Sequence, residues 1–239
     1  FRPGTSSKFH LAPHAFLGQN LAMRSRRLLS IALSLLLTVS LAGCGESSKS
    51  YASFKEDGVF FAAPKTWTGI STSTLNKYEK KSENAEAGSR QKLVRWQIAY
   101  STDPKFKVSQ VFNLIAPSQP LAFARVRDLS ATEFNEYSYN SLRDVIVPVT
   151  KILEGDVSGT PDFKILRDRE VVEEGARGLQ TIYRFTFEGV TQTFNQISLL
   201  SNDRLTLYLL VVRCESACYK ENKKEIEEIV SSYTVQGAK

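Results

Sequence analysis

Hydrophobic positions along the chain fall into short blocks with two different periods, and the period indicates which element each block forms. Val59-Phe60-Phe61-Ala62-Ala63, preceded by Gly58 and stopped by Pro64, reads as a strand, with Trp67 just beyond the break. Val94, Trp96, Ile98 and Tyr100 alternate with Arg95 and Gln97, which predicts a strand burying the apolar face. Val108 to Ile115 is expected as the next strand, ended by Ala116-Pro117. Asn76 to Arg90, charged and interrupted by Gly88, is expected as an exposed loop or frayed helix. Ser130-Ala131-Thr132-Glu133 has the form of a capping box, in which hydroxyl and carboxylate satisfy free N–H groups at a helix start. Phe134, Tyr137, Leu142, Val145 and Ile146 then share one side of a predicted helix that Pro148 should end.

The second half of the chain reads as hairpins. Phe163 to Val172 and Leu179 to Glu188 pair across Glu174-Gly175-Ala176-Arg177-Gly178, with Tyr183, Phe185 and Phe187 on one face of the second strand. Thr191–Leu200 and Leu205–Val212 pair across Ser201-Asn202-Asp203-Arg204. Leu205 to Val212 is apolar on both faces, as a central strand covered from two sides must be. Ala217 to Ser232 carries Tyr219, Ile226, Ile229, Val230 and Tyr233 at helical spacing, and Thr234-Val235-Gln236 can add an edge strand. Antiparallel hairpins interrupted by two separated helical regions predict an α+β layered sandwich, with one folded domain over residues 54–239.

The first 43 residues follow another logic. Met23 is the only methionine and is followed at once by Arg24, Arg26 and Arg27, so it is expected to be the translation start. Leu28 to Ala42 then runs fifteen residues without a charge, short of the roughly 20 that a spanning helix needs but long enough for a secretory apolar core. It ends in Leu41-Ala42-Gly43-Cys44, which resembles a bacterial lipobox, where small residues let a peptidase close on a lipid-modified cysteine. The expectation is a removed segment 1–43, a lipidated Cys44, and a polar tether 44–53 leading to the folded domain. The protein is then anchored to a membrane without spanning it.

Composition changes the picture where charge is concerned. Of 31 lysines and arginines, Arg2, Lys8, Arg24, Arg26 and Arg27 precede residue 44, where there is no acid; the remaining 26 face 25 acids, a net +1. So balanced a chain has no general grip on phosphate backbones, and nucleic acid is excluded as a partner. The two histidines, His10 and His14, both precede Met23, so a processed protein has no histidine chemistry. No Gly-x-Ser-x-Gly elbow or Gly-rich phosphate loop is present, and no catalytic residue or cofactor is assigned.

The order of these elements and some local wording resemble the PsbP-like family. The resembling pieces are Gly58-Val59-Phe60-Phe61-Ala62-Ala63-Pro64-Lys65-Thr66-Trp67, the mid-chain helix, the Gly175/Gly178 hairpin before an aromatic strand, and Ile226 to Val235 at the close. The resemblance covers residues 54 to 236 and implies an α/β/α sandwich around a central antiparallel sheet, without enzymatic activity. It further implies action beside a membrane complex on its lumenal or periplasmic side, with photosystem II as a candidate. The histidines that bind metals and subunits in plant members have no counterpart after residue 44.

Two sets of residues remain that could carry chemistry. Cys214 and Cys218 stand at the junction of the last long strand and the last helix, within reach of a disulfide if the link is a turn. A structural staple is expected; a redox pair lacks Cys-x-x-Cys spacing, and two thiolates without histidine leave a zinc site half built. Asp156, Asp162, Asp168, Glu170, Glu173 and Glu174 are the densest acids, but their spacing is not that of a calcium loop and a solvated surface is expected, with no metal. Trp67, Trp96 and the phenylalanines are expected in the core. The function expected is that of an exported, lipid-anchored, non-catalytic accessory protein in the thylakoid lumen or periplasm. The alternative is a lipoprotein that binds a small apolar ligand in a cavity of about 300 Å³ or more.

Overall fold

A computed structural model of the protein describes residues 47–81, 91–155 and 162–237. All the elements below lie in one compact unit, Ser48–Lys239. Strand β1 (Lys49–Phe54) leads through a 3-10 turn (Lys55–Asp57) to β2 (Val59–Pro64), β3 (Thr68–Ile70) and helix α1 (Thr72–Glu79). Next come β4 (Val94–Ser101), α2 (Val108–Phe112), β5 (Leu121–Asp128) and three short helices, α3 (Ala131–Glu136), α4 (Tyr139–Arg143) and α5 (Val149–Glu154). The long strands β6 (Lys164–Val172), β7 (Ala176–Phe187), β8 (Val190–Ser201) and β9 (Thr206–Glu215) follow, then α6 (Ser216–Glu221), α7 (Lys223–Ser231) and β10 (Thr234–Val235).

The strands form two antiparallel sheets, a small one in the order β1-β2-β10 and a seven-stranded one in the order β3-β4-β5-β9-β8-β7-β6. The α+β class expected from the pattern is therefore present, with the large sheet as the middle layer. Strand β9 sits at its centre and divides the core by parity. Tyr208, Leu210, Val212 and Cys214 point to a cluster completed by Val59, Phe61 and Val235 of the small sheet and by Ile226, Ile229 and Val230 of α7. Leu209 and Val211 point the other way, to Phe123, Tyr183, Phe185 and Phe194, covered by Leu75 of α1, Val111 of α2 and Val149 of α5. Each face of one strand thus recruits its own covering layer.

Several expected elements take a different form. Val108 to Ile115 is not a strand: Val108, Val111 and Phe112 recur at helical spacing, and the side chain of Gln110 caps the N–H of Lys107 to start α2. The strand beside β4 is β5 instead, whose apolar residues alternate with Arg125 and Arg127. In β4 the fully buried face is that of Gln97, Ala99 and Ser101, while Trp96, Ile98 and Tyr100 are only partly covered. The helix expected before Pro148 is split. Ser130 and Glu133 do form their capping box, but Tyr137 is extended and Ser138 caps a second helix through the N–H of Ser141. Pro148 precedes α5 rather than ending a helix. The last helix breaks at Asn222, whose side-chain amide donates to the Cys218 carbonyl. Helix α1, capped by Ser71, runs to Glu79 and so into the stretch from Asn76 expected as an exposed loop or frayed helix; residues 82–90 lie outside the described residues. Residues 49–53, expected as tether, pair with β2, so the folded body begins five residues after Cys44.

Turn chemistry fixes register. Glu188 and Gly189 both have positive φ, at 49° and 81°, the two-residue turn whose twist matches that of paired strands. It places β7 against β8 over twelve pairs, from Phe187 with Val190 to Ala176 with Ser201. Gly178 is required for close approach, since a Cβ there would lie 2.1 Å from the carbonyl oxygen of Ser198 and 2.9 Å from the Cα of Leu199. Gly178→Ala is expected to destabilise the fold by about 1–3 kcal/mol through overpacking. Urea unfolding checks this, and an unchanged midpoint would mean that the β7–β8 spacing gives way easily.

Candidate functional site

The helical face of the large sheet carries a cleft of about 480 Å³ built on two arginines of β5. Arg125 and Arg127 are two residues apart, so they leave the strand on the same side as Phe123, and each ties a helix to the sheet. The Arg125 guanidinium donates to Glu79 at the end of α1, at 2.7 Å, and to the fully buried Gln97. The Gln97 amide in turn donates to Asn76 and Glu79. Arg127 grips Glu133 of α3 with two parallel bonds, at 2.9 and 2.7 Å, the geometry that makes arginine–carboxylate pairs strong. Tyr137, Asp144, Val145, Ile146, Leu207 and Leu209 complete the lining. Burial alone would push the Glu133 carboxyl up, but hydrogen bonds from Arg127 and the Ser130 backbone, with the Arg127 charge, hold it below the ordinary carboxylate range.

A larger cleft of about 840 Å³ opens at the end of the sheet where β8 turns into β9. Its inner wall is Asp57, fully buried, gripped by Arg95 at 2.8 Å to each carboxylate oxygen and accepting the Tyr208 hydroxyl at 3.2 Å. Asp128, Glu174 and Asp203 stand on its rim, so four carboxylates here face one arginine. Burial and the Asp57 charge both push the Tyr208 phenol up, which keeps it a neutral donor. A third cleft, about 550 Å³, lies between Tyr137, Tyr139 and Leu142 on one side and Arg177, Leu200 and Arg204 on the other. All three exceed the volume set for an apolar ligand, yet each is lined by charged and hydroxyl groups; such walls suit a polar group or a protein surface.

Arg213 does a different job. It is buried on the helical face of β9, lies over the Phe194 ring, and donates to the carbonyls of Gln110, Val111, Asn113 and Leu114 at the end of α2. Among the described residues no carboxylate offsets its burial, which pushes the guanidinium down to about 10. It holds the segment leading into β5 on the sheet.

Among the residues singled out in the sequence, Cys214 and Cys218 are joined by a disulfide, with Cα atoms 6.0 Å apart at the β9–α6 junction. The acids are dispersed rather than gathered. Asp168 is paired with Arg143 at 2.6 Å, Glu170 accepts from Tyr139, and a Glu173 oxygen accepts the N–H of Val235. Asp162 is exposed, and Asp156 and Cys44 lie outside the described residues. Among the described residues no three His, Cys, Asp or Glu side chains are placed to hold a metal ion. Trp67 is core and donates to Glu225; Trp96 is partly buried and stacks on Phe54. As site residues, Arg125, Arg127, Glu79 and Glu133 are not among those that the sequence pattern singles out. Their signal was present in Leu121 to Asp128, where two arginines keep strict alternation with apolar neighbours.

No family model and no curated sequence matches the chain. Among solved structures it is similar to the cyanobacterial PsbP (CyanoP) of Synechocystis sp. PCC 6803, at 14% identity over 81% of this chain and 95% of that one, with a TM-score of 0.44. It is also similar to LpqN of Mycobacterium tuberculosis, described as involved in cell envelope biogenesis, at 11% identity, 78% and 90% coverage and a TM-score of 0.42. The Ran-binding protein Mog1p of Saccharomyces cerevisiae aligns at 10% identity, 79% and 96% coverage and a TM-score of 0.41.

Two outcomes follow from this geometry. Because the Glu133 carboxyl is held low when folded, its contribution to stability is full above the unfolded carboxylate range and is lost as pH falls through the lowered folded value. Glu133→Gln should therefore narrow the gap between neutral and acidic unfolding midpoints, and an unchanged gap would mean that Arg127 does not favour the charged form. Replacing Cys214 and Cys218 together removes only a five-residue ring, which should cost about 2 kcal/mol or less in chemical denaturation. A loss of the folded state would show that the strand-to-helix junction depends on the bridge.

Proposed function

We propose that the protein is a membrane-anchored, non-catalytic accessory lipoprotein that docks on a membrane protein complex at the exported face of the membrane. The observation that carries this reading is Leu41-Ala42-Gly43-Cys44 after a basic and then an uncharged apolar stretch, the arrangement a lipoprotein peptidase requires. The distance from this motif to the fold supports it. Strand β1 begins at Lys49, so at most about 17 Å of extended chain separates it from the Cys44 position. A body held so closely is concentrated beside membrane partners. The Cys214–Cys218 disulfide suits an oxidising exported compartment. The cleft of the helical face offers fixed, mutually neutralised charges and the cleft at the sheet end a set of carboxylates around the Arg95-paired Asp57, neither with a free nucleophile beside a base, as a docking surface does. The resemblance of residues 54 to 236 to the PsbP-like family makes photosystem II the complex to test first.

A Cys44→Ser variant exported on an ordinary cleavable signal is expected to appear in the soluble exported fraction, whereas the wild type sediments with membranes. Equal sedimentation of the two would rule out the lipid anchor. For the docking role, tagged wild-type protein is to be purified from mildly solubilised membranes. Recovery with photosystem II subunits or their assembly intermediates is expected; recovery alone, with a co-purified lipid or pigment, would overturn docking in favour of ligand carriage.

A further inference from the structure

The outer edge of the seven-stranded sheet segregates its charges by face. Lys164 is paired directly across from Arg184, Arg167 lies opposite Ile182, and Arg169 lies opposite Gln180. Arg184, Ile182 and Gln180 share one face of β7, so Lys164, Arg167, Arg169 and Arg184 share that face. They would not do so in a regular strand, where Lys164 and Arg167 point to opposite sides. The bulge between Ile165 and Arg167 shifts the register by one and brings the cations into line, leaving Leu166 54% exposed among them. Like charges directly opposite one another destabilise a sheet, and here no carboxylate among the described residues forms an ion pair with any of the four. Arg169 is steadied by neutral partners alone, donating to Gln180, which donates to Asn195, which donates to the Tyr219 hydroxyl. The acids of the same strand, Asp168 and Glu170, lie on its other face, engaged by Arg143 and Tyr139 of α4. Charge is one means of protecting an edge strand from pairing, but that protection does not need cations gathered on one face.

The position of this stripe relative to the tether is the second observation. Lys49, the first residue of β1, pairs with Pro64, whereas Phe54 pairs with Val59 beside the buried Asp57. Asp57 meets Arg95 and Tyr208 at the end of the large sheet that holds Ala176, Ser201 and Thr206. The Lys164–Arg184 pair lies toward the opposite end, near the Phe187–Val190 turn. The chain leading from Cys44 therefore joins the body at the end that carries the foremost cations, away from the acid-rich cleft.

We infer that this cationic stripe, with Leu166 in its midst, is a contact surface for the anionic phospholipid headgroups of a bilayer, orienting the body that the lipid tethers. The inference rests on the anchoring reading for its biological setting, but its contact chemistry is independent of the acyl chains. Basic residues near an anionic bilayer gain from its negative surface potential within about 8–10 Å, and the tether holds the body close enough for that field to act.

The test uses residues 45–239 without lipid, a span that contains every core cluster described. Flotation is measured with vesicles of phosphatidylcholine alone and of phosphatidylcholine with phosphatidylglycerol. Binding to the anionic vesicles only, weakening as salt rises, is expected. Lys164→Ala with Arg167→Ala should reduce that binding about 25-fold, or fivefold for each cation removed. Circular dichroism and the unfolding midpoint should stay at wild-type values, since both side chains are exposed. Equal binding to both vesicles, undiminished binding by the double variant, or no flotation at all would overturn the inference; the last result would leave the stripe to an acidic protein. If flotation fails while membrane attachment still depends on Cys44, only this inference falls. If flotation succeeds while attachment does not depend on Cys44, only the anchor reading falls.

Discussion

A strand that is apolar on both sides cannot stop at one covering layer, and β9 imposes this condition on the whole molecule. Its even-numbered residues from Tyr208 to Cys214 need a roof on one side of the sheet, and Leu209 and Val211 need one on the other. Neighbouring strands β5 and β8 extend both surfaces, so the middle of the sheet must be covered twice. The chain supplies the two roofs from different regions. The first and last segments, β1, β2, β10, α6 and α7, close one side, while the middle segments from α1 to α5 close the other. Joining the ends of the chain in one layer makes the fold depend on contacts distant in sequence, such as Thr234 with Phe60 and Trp67 with Glu225.

The two roofs are attached by different means. The side that includes the small sheet is held mainly by apolar packing, with Ile226, Ile229 and Val230 of one α7 face set into it. The helices on the opposite side are short and contribute few apolar residues each, and here polar anchors fix what packing alone would leave loose. Arg125 ties down α1, Arg127 ties down α3, and Arg213 caps the carbonyls that end α2. Arginine suits this work because its charge persists when buried and its planar fork serves several acceptors at once. Ion pairs of this kind leave clefts between the helices they position, and the charged walls of those clefts result from how the layer is held.

Parts of the architecture that depend on local periodicity were legible in the sequence. The alternation of Tyr183, Phe185 and Phe187, the two-faced apolar run from Leu205 and the Ser130–Glu133 box all took the predicted form. What could not be read locally was decided by partners far along the chain. Val108 to Ile115 has enough β-branched and aromatic residues for a strand, yet α2 forms where Arg213, about a hundred residues away, donates to the carbonyls at its end. Leu121 to Asp128 is assigned no element from the sequence: it is a strand next to the central one because Glu79 and Glu133, on helices folded over it, pair with Arg125 and Arg127. Residues 49–53 look like a tether because they are small and polar, and they become a strand only because β2 offers them an edge. The disulfide was legible because both cysteines belong to one junction. The clefts were not, because each is assembled from three or more separate segments.

The large cleft and the cationic stripe also bear on each other. A body with almost no net charge after residue 43 has no reason, on composition alone, to face a membrane in one orientation. Separation of its charges provides one. Four carboxylates ring the cleft at the Asp57 end of the sheet, while unpaired cations occupy the edge strand toward the other end. Under the proposed anchoring, an anionic bilayer would repel the first and attract the second, and the tether would join the body on the attracted side. In that orientation the acid-rich cleft would face outward from the lipid, toward the membrane complex proposed as partner. Anchoring, orientation and docking, as proposed, would call on three different surfaces of one small domain, and a bulge that moves a single residue out of register helps to keep the charged ones apart.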